Sequence, residues 1–97
     1  MTSEKYIELK EKYDSLTNEE DKISCLVDIV LEIRNFDIDE AFRLSQEIIN
    51  RSVKIRFKEG IGRGLNLKGA CYWLKGEYNN GLDTLKESLK IAKEIKN

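Results

Sequence analysis

Between Gly62 and Lys96 the chain reads GRGLNLKGACYWLKGEYNNGLDTLKESLKIAKEIK, two helical stretches joined at Gly76, with small residues where paired helices must nearly touch. On the second stretch Leu82, Leu85, Leu89 and Ala92 recur at i, i+3, i+7 and i+10, one stripe of an amphipathic helix. Gly76 is placed to end the first stretch in the left-handed conformation that glycine adopts without steric cost. A hairpin of this kind cannot bury its apolar face alone, so neighbouring segments of the chain must stack on it.

The rest of the chain supplies such neighbours. A first helix is predicted over about 4–16, capped by Thr2 or Ser3, with Tyr6, Leu9, Tyr13 and Leu16 on one stripe. Thr17-Asn18-Glu19-Glu20 stops it and caps a second, over about 19–35, which is almost continuously apolar from Ile23 to Ile33 and so must be covered on more than one side. Asp37-Ile38-Asp39-Glu40 is a capping box opening a third helix over about 38–55, with Ala41, Ser45, Ile48, Ile49 and Val53 on its packing face. Arg56 to Gly62, holding two of the six glycines, reads as a junction before a fourth helix over about 62–75; a fifth follows over about 79–95. No proline interrupts these segments.

Leu65, Gly69, Tyr72, Gly76, Gly81 and Leu85, followed by Ser88 and Leu89, fall at the spacings of the tetratricopeptide (TPR) repeat, which this hairpin resembles. Lys68 stands where that repeat usually has Leu, Gly81 where it has Ala, and its terminal Pro is absent. Helices two and three form a weaker second copy, Leu26, Ile29, Val30 and Ile33 falling on Leu65, Lys68, Gly69 and Tyr72, and Ala41 on Gly81. FDIDEAF and ESLKIAKEIKN are similar to phrases of the TPR arrays that precede bacterial diguanylate cyclases, histidine kinases and adenylate cyclases. The resemblance, over residues 19–97, implies an all-α, right-handed stack of antiparallel helix hairpins, a TPR-like α-solenoid of about five helices. Residues 1–17 would form an additional N-terminal helix, 18–58 a degenerate first hairpin and 59–97 a second.

It implies function as well: a noncatalytic module that binds a protein or peptide partner, expected in the sensory or docking part of a bacterial signalling protein. By the same alignment the groove-facing residues are Val27, Leu31 and Arg34 from the first hairpin, with Arg63, Asn66, Ala70 and Trp73 from the second. Trp and Arg are the residues that most often dominate binding energy, and Asn can clamp a peptide amide. Trp73 admits two readings, groove anchor or core aromatic, because Tyr72 beside it already supplies an inward aromatic. The chain ends where another repeat would begin, so the edge of helix five formed by Leu82, Leu85 and Leu89 is expected to be partly uncovered. That leaves a fragment of a longer protein, or a homodimer built through this edge, as the alternative reading.

Charge is divided along the chain: residues 1–50 carry 13 Asp+Glu and 6 Lys+Arg, residues 51–97 carry 5 and 11, giving −7 and +6 within a total of −1. The densest basic run is Arg51, Lys54, Arg56, Lys58, Arg63 and Lys68. This gradient either steers an acidic peptide toward the second hairpin, or aligns two copies, or is ordinary solvated surface. A slightly acidic chain with no recognisable nucleic-acid motif is not expected to bind nucleic acid. A length of 97 residues leaves little room for a catalytic cleft, His is absent, and the two cysteines, Cys25 and Cys71, sit apart within apolar helical stretches. No metal, cofactor or enzymatic activity is therefore expected, and Cys25 and Cys71 read as buried hydrophobes of a reducing compartment. The carboxylate pairs Glu19/Glu20 and Asp37/Asp39 stand at helix starts, where capping and the helix dipole account for them. With neither a signal-peptide core nor an apolar run near the ~18 residues a membrane span needs, the expected location is the cytoplasm.

Overall fold

The computed structural model describes residues 3–96, which form five α-helices and no strand: α1 (Glu4–Ser15), α2 (Glu19–Ile33), α3 (Ile38–Lys54), α4 (Lys58–Leu74) and α5 (Tyr78–Lys96). The starts of the first three are set by short polar side chains. Ser3 Oγ accepts the N–H of Tyr6 at 3.0 Å, Asn18 Oδ1 that of Asp21 at 3.0 Å, and Asp37 Oδ1 that of Glu40 at 3.2 Å. Each bond satisfies a donor that the first helical turn would leave without a partner. Thr2, the other candidate cap for α1, lies outside the described residues. At Asp37 the capping box is half formed, because Glu40 turns its carboxylate to Arg43 at 2.7 and 2.8 Å.

Gly76 ends α4 as expected, at φ 82°, with the Glu77 N–H donating to the Tyr72 carbonyl at 2.8 Å across the reversal. The junction between α3 and α4 departs from the sequence reading. Residues 55–57 suffice for it: Arg56 takes the left-handed conformation at φ 58°, and the Phe57 N–H reaches back to the Ser52 carbonyl at 2.8 Å. Consequently α4 starts four residues before Gly62, and Gly60 and Gly62 lie inside it. A Cβ at Gly60 would fall on the Ser52 hydroxyl, so this glycine serves a helix contact rather than a turn.

Each helix packs on the next in sequence, and α2 also packs on α4. The middle position expected for α2 follows: Ile23, Cys25, Leu26, Val27, Ile29, Val30 and Ile33 are all buried. They share one cluster with Ala41, Leu44 and Ile48 of α3 and Leu67 and Cys71 of α4, against which α1 lays Tyr6, Leu9 and Tyr13. Val53 does not belong to the packing face assigned to it. It is 56% exposed, and Ser52 beside it is fully buried, because the close approach of α4 at Gly60 is made over Ser52.

One polar cluster ties three helices together. Arg51 of α3 donates to both carboxylate oxygens of Glu19 on α2 at 2.8 and 2.7 Å, to Glu47 at 3.0 Å and to the Tyr13 hydroxyl of α1 at 2.7 Å. The Arg51 guanidinium, hydrogen-bonded to Glu19, holds its carboxyl below the ordinary carboxylate value. Since the folded pKa is the lower one, the stabilisation is complete above the unfolded value and is lost as pH falls through the folded value. The pair is partly solvated, so Glu19→Gln is expected to cost only about 1 kcal/mol at neutral pH. Urea midpoints of wild type and variant should converge as pH falls below the ordinary carboxylate range; a gap that stays constant with pH would show that Glu19 carries no such coupling.

Candidate functional site

The face of α4 carrying Asn66, Ala70 and Trp73 at i, i+4 and i+7 is flanked by the C-terminal end of α2 on one side and by α5 on the other. Arg34 and Asn35 from the end of α2, Asn66, Ala70, Trp73 and Leu74 from α4, and Leu85 from α5 line a groove of about 400 Å³. A second depression of about 350 Å³ adjoins it at Asn66, lined by Glu59, Gly62, Arg63 and Asn66 of α4 and Ser88, Ala92 and Ile95 of α5. Asn66 borders both, so the two form one furrow running between α4 and α5.

Of the seven residues assigned to a groove, the structure brings four together: Arg34, Asn66, Ala70 and Trp73. Arg63 lies one turn along α4, in the adjoining depression. Val27 lines nothing, because it is 5% exposed within the core cluster that includes Leu67 and Cys71 of α4. Leu31 is exposed but borders neither depression. Asn35, Leu74 and Leu85 are groove residues that the sequence did not mark; Leu74 and Asn35 follow directly on Trp73 and Arg34 at helix ends, and that adjacency was the available signal.

Leu85 also leaves the edge on which it was placed. A Cβ on Gly69 would stand 2.7 Å from its Cγ, so Leu85 packs into the crossing of α4 and α5 and only borders the groove. Leu82 and Leu89 remain exposed, at 46% and 57%. Trp73 is held from one side: its indole Cδ1 is 2.9 Å from where a Cβ on Gly81 would stand, and its ring lies 4.7 Å from that of Tyr78. It stays 44% exposed, whereas Tyr72, half-buried, meets Phe42 edge to face at 5.0 Å. The adjacent aromatics thus point to different sides of α4.

Arg43 is paired with Glu40 and Glu47 and Arg51 with Glu19 and Glu47, whereas Arg56, in the α3–α4 junction, is in no ion pair among the described residues. Arg34 and Arg63 form no ion pair among the described residues. Three members of the basic run are engaged within the fold, and Lys54, Arg56 and Arg63 are in no ion pair among the described residues. Arg51 is neutralised by its carboxylates, Lys58 reaches Glu94 at 3.7 Å, and Lys68 donates to Gln46 at 2.7 Å between the Phe42 and Tyr72 rings.

Both thiols are buried, and burial pushes each above the ordinary thiol range, so neither offers a thiolate. Among the described residues no helix is long and apolar enough to cross a membrane, and no group of three or more His, Cys, Asp or Glu side chains gathers as a metal site would require. No protein-family model, curated protein or solved structure matches this chain.

Proposed function

We propose that this protein is a noncatalytic interaction module of the TPR type that holds a partner's peptide segment in the furrow between α4 and α5. The observation that carries the reading is the convergence of Arg34, Asn66 and Trp73 on one groove, with the guanidinium free of any ion pair among the described residues. An arginine whose charge is not used in folding is available to an acidic side chain or a C-terminal carboxylate, which its planar fork can bind through two parallel hydrogen bonds. Trp73 offers its exposed side to an apolar residue of the same peptide, and Asn66 can pair with its backbone amide. The repeat phrases FDIDEAF and ESLKIAKEIKN favour a cytoplasmic docking or sensory role within a bacterial signalling protein.

Trp73 is the only tryptophan, so its fluorescence reports the groove directly. Titration with a short acidic peptide is expected to change that emission, with affinity falling as salt rises because the charges are exposed. Trp73→Ala, read by isothermal titration calorimetry because the variant has no tryptophan, should weaken binding roughly thirtyfold, as loss of a hot-spot aromatic does. Its thermal stability should fall by less than the about 3–5 kcal/mol of a core aromatic, since Trp73 is held on one side only. A full core-sized loss would make it a structural residue and remove the groove's anchor. The exposure of Leu82 and Leu89 favours a second reading, self-association through α5. Light scattering over a dilution series separates the two, since a monomer at micromolar concentration leaves peptide binding ahead, whereas a stable dimer abolished by Leu89→Glu favours assembly.

A further inference from the structure

The two hairpins repeat one another closely enough to say what shape of ligand the furrow fits. Leu26, Val30 and Ile33 of α2 correspond to Leu65, Gly69 and Tyr72 of α4, and Ala41 and Ser45 of α3 to Gly81 and Leu85 of α5. Continuing the same registers, Ile23 and Val27 correspond to Gly62 and Asn66, and Phe42 and Ile49 to Leu82 and Leu89. In the first hairpin these positions receive α4. Ile23 and Val27 are buried in the cluster that Leu67 and Cys71 of α4 share, Phe42 meets Tyr72, and Ile49 lies against Gly64. In the second hairpin the corresponding surface is open: Asn66 is exposed, and Leu82 and Leu89 keep about half their area in water. The seat that α4 fills on α2 and α3 is therefore built a second time on α4 and α5, and no described helix occupies it.

We infer that the partner segment enters this seat as an acidic amphipathic helix, lying on α4 and α5 as α4 itself lies on α2 and α3. The inference rests on the peptide-binding reading above and specifies its ligand. Charge selects the occupant. Lys86 and Lys93 fall at i+4 and i+11 from Leu82, on the face of α5 that carries Leu82 and Leu89, and Arg34 and Arg63 line the furrow beside it. None of these four cations is in an ion pair among the described residues, and Glu59 is the one carboxylate bordering the furrow. A second copy offering its own α5 would oppose lysine to lysine, which disfavours that pairing. The other outer helix, α1, exposes a single large aliphatic residue, Ile7, too little to fill the seat. A helix with leucines on one face and glutamates along both flanks satisfies the apolar floor and the basic walls together.

The probe is a synthetic peptide of 17 residues, the length of α4, with Leu at i, i+3, i+7, i+10 and i+14 and Glu on the flanks, made in parallel with a version carrying two central prolines. Binding is read by isothermal titration calorimetry, which serves Trp73→Ala as well as the wild type, and helix formation by far-ultraviolet circular dichroism of the mixture. The expected result is binding with a gain of helix, roughly tenfold weaker for the proline version and for the Leu82→Glu/Leu89→Glu protein. Those two side chains are exposed, and an unchanged thermal midpoint confirms that the double variant is folded. Equal binding of both peptides, lost only in Trp73→Ala, would overturn the helical ligand while leaving the peptide-binding function intact. No binding of either peptide overturns both. Self-association that the double variant abolishes, with no effect of added peptide, assigns the seat to a second copy and also overturns the inference.

Discussion

Gly69→Leu is expected to destabilise the protein by about 3 kcal/mol, the upper end of the usual range for overpacking. A Cβ at this position would stand 2.7 Å from Leu85 Cγ, 2.8 Å from Leu85 Cδ2 and 3.4 Å from the Gly81 carbonyl oxygen. Leu85 can rotate away in part, but the Gly81 carbonyl belongs to the backbone of α5, so the larger substituent must push the two helices apart. For a domain of this size the loss corresponds to a fall in thermal midpoint of roughly 12–24 °C. Gly76→Ala is the control that separates packing from backbone conformation. Nothing lies within 4 Å of a Cβ there, but φ is 82°, so the cost is strain alone, about 1 kcal/mol. Equal losses in the two variants would mean that Gly69 is not a contact between α4 and α5. Because Trp73 rests on Gly81 across the same crossing, Gly69→Leu should also weaken peptide binding, measured by the fluorescence titration at a temperature where the variant is folded.

Ile48→Ala is the second large effect, expected to cost about 4 kcal/mol in a urea titration. Ile48 is fully buried, and its Cγ2 would stand 3.0 Å from a Cβ on Gly64. The helix facing it there presents a glycine, with no side chain to swing into the space that alanine leaves. A cavity that cannot collapse costs more than the transfer of the lost methyl groups alone. Val53→Ala, on the same helix but 56% exposed, should stay within about 0.5 kcal/mol. If the two substitutions cost the same, Val53 belongs to the core after all and the packing of α3 on α4 is rotated from that described.

Sequence alone identified all five helices, their order, and most of their ends. Asn18, Asp37 and Gly76 act within four residues of themselves, through hydrogen bonds to adjacent backbone or through a φ value, so their roles can be read without knowing any distant contact. The apolar stripe of α2 likewise announced burial on more than one side. Gly60 and Gly62 were misread for a related reason: a glycine that relieves a turn and one that admits a neighbouring helix look alike in a string of letters. Only the approach of Ser52 to Gly60 and of Ile91 to Gly62 distinguishes them. Where the stripes meet was decided by tertiary structure. Periodicity places Val27, Leu31 and Leu85 on helix faces but cannot say which faces another helix covers, so Val27 went to the core and Leu85 to a helix crossing. The groove itself exists because Arg34 and Trp73, 39 positions apart, are brought together by the packing of α2 on α4. Local hydrogen bonding fixes a helix from its own residues, whereas burial, and the shape of the groove left between helices, depends on the segments that pack around it.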